Sequence, residues 1–156
     1  MSEPRMKSPF MILSGSMEAL QKLSACSEDH GVPRATLELV HLRVGQINGC
    51  SVCADMHSRA LRKLGESDAR IFAVPTWREA SYYTDAERAA LGLAEAATRL
   101  SDRPDAVSDE VWGEASRHFD EAAIAALVMA IGLANLWNRL NATTRQVSGE
   151  WVAQYV

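Results

Sequence analysis

Pro33-Arg-Ala-Thr-Leu-Glu-Leu-Val-His-Leu-Arg-Val-Gly-Gln-Ile-Asn-Gly-Cys50-Ser-Val-Cys53-Ala-Asp-Met-His57 is the stretch that decides the fold. Leu37, Val40, Val44 and Ile47 recur at spacings of three and four, the period of a helix with one buried face. Pro33 suits the first turn of that helix, where its missing N–H would be unpaired anyway. Asn48-Gly49 ends it, and a second helix is predicted from about Cys50 to Gly65, a good left-handed C-cap residue. The short Asn48-Gly49 turn lets these two helices pack as neighbours.

Outward from this pair the punctuation stays helical. Ser16 is a candidate cap for an earlier helix running to about Asp29 and stopped by Gly31. A short helix around Ser67–Ala73 precedes Pro75. Thr84-Asp-Ala-Glu87 is a capping box opening a helix to about Leu100. Ser108 caps a helix to His118, and Asp120 caps the last long one, through Asn141. Residues 1–13 hold Pro4 and Pro9 and read as an irregular arm. Alternating strands flanked by hairpin turns are absent. The expected fold is an all-α bundle of six to seven helices, with residues 14–156 as a single domain.

The chain has 156 residues, enough to bury roughly 70% of its unfolded surface. Its hydrophobic fraction of 47% and charged fraction of 23% suit a soluble globular protein. A formal charge of −4 and the absence of a basic tract argue against nucleic acid. Arg59, Arg62 and Lys63 read as a solvated helix face. The apolar run Ala122–Ala134 is thirteen residues long, too short to span a bilayer, and predicts a buried core helix rather than a membrane contact. Without an export signal the expected location is cytoplasmic, where a Cys-x-x-Cys pair is more often catalytic or metal-binding than structural. Cys26 is the odd thiol, without a role that its neighbours suggest.

On a helical wheel Cys50, Cys53, His57, Ala60, Leu61 and Leu64 share a sector about 100° wide, so the sulfurs and the imidazole should face inward. Asp55, Arg59, Arg62 and Lys63 point the other way. Buried cysteine is common as a small hydrophobe. His57, four residues after Cys53, adds something else: that spacing stacks the ring over the sulfur. An unperturbed thiol is about 3% thiolate at neutral pH; unpaired N–H groups at a helix start and a neighbouring imidazolium both favour the anion. Positions i and i+3 also lie within disulfide reach. The same residues allow a zinc site, with Cys50, Cys53 and His57 as ligands and Glu38 or His41 as a fourth. No second Cys/His pair supports it, and His30 and His118 read as surface residues. Glu38 taken alone is most simply an exposed helical glutamate. An inward Glu38 could instead hydrogen-bond His57 and fix its tautomer.

Glu38, eleven residues, Cys50-x-x-Cys53, three residues and His57 together resemble the alkylhydroperoxidase D-like branch of the carboxymuconolactone decarboxylase family. Asn48-Gly-Cys-Ser-Val-Cys-Ala-Asp-Met-His57, Thr84-Asp-Ala-Glu-Arg-Ala-Ala-Leu91 and Asn135-Leu-Trp-Asn-Arg139 extend the likeness over residues 15–142, most densely over 36–100. The resemblance implies a peroxiredoxin-like thiol peroxidase, all-α and assembled as a homotrimer or homohexamer, that needs no cofactor or metal. It implies that one cysteine attacks a hydroperoxide and the second closes a disulfide. It implies that an external dithiol, on a lipoylated protein or similar carrier, then reduces that disulfide. Carried over, Cys50 and Cys53 are the redox pair, with Glu38 and His57 as the proton relay. One departure stands out: the family pattern has a second histidine where this chain has Val52, and His41 is the candidate to compensate. Decarboxylase members generally lack the cysteine pair, which disfavours that activity. Cys53 is the expected attacking thiol because His57 sits one turn above it, and Cys50 the resolving one. The helix-start argument leaves the reverse order open. The competing reading is a non-enzymatic helical oligomer, structural or zinc-stabilised. For Asn135–Arg139 and for Trp77, Tyr82 and Tyr83, roles in tying or closing the bundle are preferred to substrate contact.

Overall fold

The structure, a computed structural model, describes residues 3–102 and 104–156. The α-helices are α1 (Pro9–Ile12), α2 (Ser16–Ala25), α3 (Arg34–Ile47), α4 (Ser51–Lys63), α5 (Asp68–Phe72), α6 (Asp85–Thr98), α7 (Asp109–His118) and α8 (Glu121–Thr144). Two 3-10 helices, Val74–Thr76 and Glu150–Tyr155, complete the order, and the described residues contain no strand. All seven helices read from the sequence are present. The eighth, α1, is a single turn opened by Pro9 inside the stretch expected to be irregular.

Local side-chain chemistry sets most of the helix ends. Ser67, Thr84, Ser108 and Asp120 each accept a backbone N–H from the first turn of the helix they open. At Thr84 the capping box is complete, because the Glu87 carboxylate also accepts the Thr84 N–H at 2.9 Å. Ser16 is different. Its hydroxyl turns back to the Leu13 carbonyl at 2.7 Å, so it is the first helical residue and Gly15, at φ +80°, takes the cap position. At the other end α2 stops at Ala25, short of the expected Asp29, which adopts a left-handed φ of 60°.

Three helices build the main core. Leu37, Val40 and Val44 of α3 meet Ala90, Leu93 and Ala94 of α6 and Leu127, Ala130, Ile131 and Ala134 of α8. The alanines let the backbones approach, and each buried leucine contributes about 2 kcal/mol of apolar burial. A second cluster forms on the other side of α3, from Leu39, Leu42, Leu61, Ile71, Val74, Trp77, Tyr83 and Leu91. Helix α3 is therefore buried on two faces, not one. This helix anchors everything that follows, since it packs on α4, α6 and α8 at once.

Helix α8 departs from its expected role as a wholly buried core element. It runs 24 residues and is long and apolar enough by length and composition to cross a membrane, yet 50% of its apolar window is buried inside the bundle. The outer side carries Val128, Met129 and Leu136 into solvent. Its apolar residues go all the way round, so no periodicity could say which half would be covered.

Candidate active site

The turn between α3 and α4 places the two sulfurs. Gly49 takes a φ of +67°, a conformation that favours glycine. The Cys50 N–H then reaches back to the Gly45 carbonyl at 2.9 Å. Cys50 becomes the N-cap of α4, and its Sγ accepts the Cys53 backbone N–H at 3.2 Å. Cys50 and Cys53 form a disulfide with Cα atoms 5.4 Å apart. Both cysteines are buried. The close approach of the helices depends on Gly45: a Cβ there would stand 3.2 Å from the Cys53 Cβ, tighter than ordinary packing.

Glu38 is buried, only 3% exposed, which corrects its expectation as an exposed helical residue. The second buried face of α3 turns it toward α4. Its Oε2 lies 2.7 Å from His57 Nδ1, so the inward alternative is the observed one. Its Oε1 accepts from Arg34 Nε at 2.9 Å, one helical turn back. Burial alone would raise the Glu38 pKa. The hydrogen bond from His57 and the charges of His57, His41 and Arg34 overcome it and hold the carboxyl at about 2. His41 stands with its ring centroid 4.8 Å from that of His57. Burial, followed by the His57 charge, pushes the His41 imidazole down to about 3. It is a neutral ring at ordinary pH.

Three groups that sequence reasoning missed complete the surroundings. Asn141, far along α8, directs its Nδ2 at Cys53 Sγ across 3.5 Å. Arg34 orients Glu38, as described. Arg145, at φ 54° just past α8, joins Cys50, Ser51, Asn141, Gln146 and Val147 around a cleft of about 370 Å³. The only advance signal for Arg34 was its i,i+4 spacing to Glu38, and for the other two there was none. Asn48, in the interhelical turn, donates to Asn138 Oδ1 at 2.8 Å and Asn135 Oδ1 at 3.0 Å. These asparagines tie α8 to the turn, which is the structural role expected of residues 135–139. Trp77 and Tyr83 are buried and spend their polar atoms on Glu95 and on the Arg70 carbonyl.

The expected stripe on α4 needs two corrections. Leu64 is 48% exposed, and Val52, outside the stripe, is buried. The C-terminal 3-10 helix explains the second: Val152 packs with Val52, Cys50 and Cys53 and covers the side of α4 that a wheel assigns to water. Arg59, on the supposedly solvated face, bonds Glu150 of that segment at 3.1 Å as well as Asp55 at 2.7 Å. The cysteine-based zinc site is also not the arrangement seen. The sulfurs bond each other, so in this state neither offers a thiolate. His30 and His118 are exposed, as is the free Cys26.

With this geometry established, residues 16–96 match the carboxymuconolactone decarboxylase family. The chain belongs to that family. Within it, the likeness is to the alkylhydroperoxidase D-like branch. The uncharacterised protein YdfG of Bacillus subtilis is 34% identical over 132 residues, 85% of this chain and 88% of that protein. An alkyl hydroperoxide reductase AhpD of Bradyrhizobium is 41% identical over a shorter 56 residues, covering 36% of this chain and 30% of that one. Among solved structures, a protein of unknown function from Agrobacterium tumefaciens that carries the name of the antioxidant defence protein AhpD superposes with a TM-score of 0.86. It is 29% identical and the match covers 94% of this chain and 99% of that one. The debrominase Bmp8 shares the fold at 22% identity and a TM-score of 0.76, over 88% of this chain and 73% of that one. A family member of this branch with a Cys-x-x-Cys disulfide is compatible with redox chemistry.

Proposed function

We propose that this protein is a thiol-dependent peroxidase, reducing alkyl hydroperoxides through the Cys50–Cys53 pair with Glu38 and His57 as proton relay. The observation that carries the reading is the Glu38–His57 contact of 2.7 Å, beside a cysteine pair already joined as a disulfide. A buried carboxylate that fixes one imidazole nitrogen leaves the other for proton exchange, the orienting role a third group plays beside a nucleophile and its base. The likeness to AhpD proteins supports the same class of reaction.

The positions support one cycle. In the reduced protein the Cys53 thiolate attacks the outer peroxide oxygen, the O–O bond breaks, and Cys53 becomes a sulfenic acid. His57, one turn along α4, supplies the proton that releases the alkoxide as alcohol. The Cys50 thiolate then attacks the Cys53 sulfur, closing the disulfide and expelling hydroxide, which takes a proton from solvent to leave as water. An external dithiol restores the pair through a mixed disulfide at Cys50. Cys50 lines the 370 Å³ cleft, which favours it as the sulfur that meets the reductant, a dithiol such as that of a lipoylated protein. As N-cap, Cys50 also has a backbone N–H aimed at its sulfur, which favours its thiolate as a leaving group. The apolar side of α8, with Trp112 of α7 beside it, fits assembly into a homotrimer or homohexamer.

Stopped-flow mixing of reduced, metal-free protein with an alkyl hydroperoxide, followed by thiol counting, tests the reading. Rapid loss of two thiols per chain is expected; unchanged thiols would sink it. Trapping sulfenic acid in Cys50→Ser and Cys53→Ser variants tests the order. The adduct is expected when Cys53 alone remains, and an adduct only with Cys50 remaining would reverse the roles.

A further inference from the structure

We propose that Glu38, His41 and His57 form a binding site for a divalent transition-metal ion of the Zn2+ class, built without either cysteine. One carboxylate oxygen and one nitrogen from each ring lie within 4.8 Å of one another. Two histidines and a carboxylate are a common donor set for such ions, leaving positions for water.

Helix geometry makes the set. Glu38 and His41, three residues apart, share one face of α3 and present their donors to α4. His57 answers from the facing helix, held against α3 by the close approach at Gly45. Metal–ligand bonds of about 2.0–2.1 Å in a tetrahedral arrangement put neighbouring donor atoms about 3.3 Å apart. The Glu38–His57 pair, at 2.7 Å, needs to open slightly, and His41 needs to move in by about 1 Å or more.

Two further observations favour a ligand. Arg34 grips Oε1 of Glu38, leaving Oε2 directed at the histidines, the outer-shell support that metal-binding carboxylates characteristically have. Among the described residues, neither ring nitrogen of His41 is held by a hydrogen bond, and the rest of the set, Glu38 and His57, already faces it. Occupancy would take up His57 Nδ1 and Glu38 Oε2 and break the contact between them. If the peroxidase reading holds, on which this consequence alone rests, Zn2+ would slow peroxide-driven thiol loss.

The test uses Co2+ as a spectroscopic probe on the full chain in its disulfide form. One Co2+ per chain is expected, with visible d–d absorption from nitrogen and oxygen ligands and no thiolate charge-transfer band. The Cys50→Ser/Cys53→Ser double variant should bind equally well. His41→Gln and Glu38→Gln should each weaken binding at least tenfold, in protein whose circular dichroism matches the wild type. The proposal is overturned if the disulfide form binds no Co2+. It is equally overturned if His41→Gln leaves affinity unchanged, or if binding needs reduced cysteines and shows sulfur charge transfer. The two readings fail separately: thiol loss to peroxide without Co2+ binding removes the metal site, and Co2+ binding without thiol loss removes the peroxidase.

Discussion

Glu38 on α3 and Glu95 on the neighbouring α6 are both buried carboxylates, and they do different things. Glu95, on α6, accepts from Arg43 Nε at 2.7 Å, from the Trp77 indole at 3.0 Å, and from Arg78. Burial pushes its carboxyl up and these donors more than reverse the effect, holding it below the usual carboxylate range. None of its partners exchanges a proton near neutral pH. Glu38 divides its oxygens between a permanent cation, Arg34, and a titratable imidazole, His57. Similar burial with a saturated, fixed set of donors makes a structural knot; with one exchangeable partner it makes a candidate relay. The partner's chemistry, not the burial, separates the two.

The comparison can be broken by exchanging each carboxylate in turn. Glu38→Gln keeps the shape but removes the charge that orients His57. The rate of thiol oxidation by peroxide should fall about 100-fold, with little change in helix content by circular dichroism. An unchanged stopped-flow rate would put Glu38 in the same structural class as Glu95. Glu95→Ala should show the opposite pattern. It strips Arg43 of its carboxylate and should lower the unfolding free energy by about 3 kcal/mol in a urea titration, while the rate per folded molecule stays put.

Smaller effects sharpen the contrast. Gly45→Ala sets a methyl against Cys53 and should cost about 1–2 kcal/mol of stability, read from the urea midpoint. It should also slow thiol oxidation by spreading α3 from α4. The pH dependence follows the same division. His41, at about 3 against an ordinary 6.5, stays neutral in the fold, so the unfolded chain binds its proton first. The stability it contributes is present above about pH 6.5 and is lost as pH falls toward 3. Glu38, at about 2 against 4.5, loses its contribution only between about pH 4.5 and 2. His41→Gln should therefore flatten the fall in melting temperature between pH 6.5 and 4.5 and leave the steeper acid limb. A curve unchanged by the substitution would mean that His41 does not titrate as its packing requires. The least change is expected from Arg34→Ala: Arg34 is 55% exposed and its pairing is worth under about 1 kcal/mol by chemical denaturation.

Much of the fold was legible because its signals are local. Caps at Ser67, Thr84, Ser108 and Asp120 act within three residues, and the turn at Asn48-Gly49 needs only a glycine at positive φ. The wheel for α4 placed Cys50, Cys53 and Leu61 on a buried side correctly and failed at Val52 and Leu64. A wheel knows one helix, and Val52 is covered by Val152, a hundred residues on. Ser16 misled for the opposite reason, since its hydroxyl found a nearer carbonyl at Leu13 than the amides it was expected to cap.

The sequence by itself determined the seven helices read from it, the capped starts at Ser67, Thr84, Ser108 and Asp120, the seating of Cys50 and Cys53 at a helix start, and the shared face of Glu38 and His41. Each of these follows from interactions spanning a turn or less. Only the tertiary structure decided that Glu38 is buried, that His57 meets it from 19 residues away, and that Asn141 reaches Cys53 from 88 residues away. Those contacts depend on how whole helices pack, and α3, buried on two faces, and α8, apolar all round, carry no pattern that ranks one packing above another.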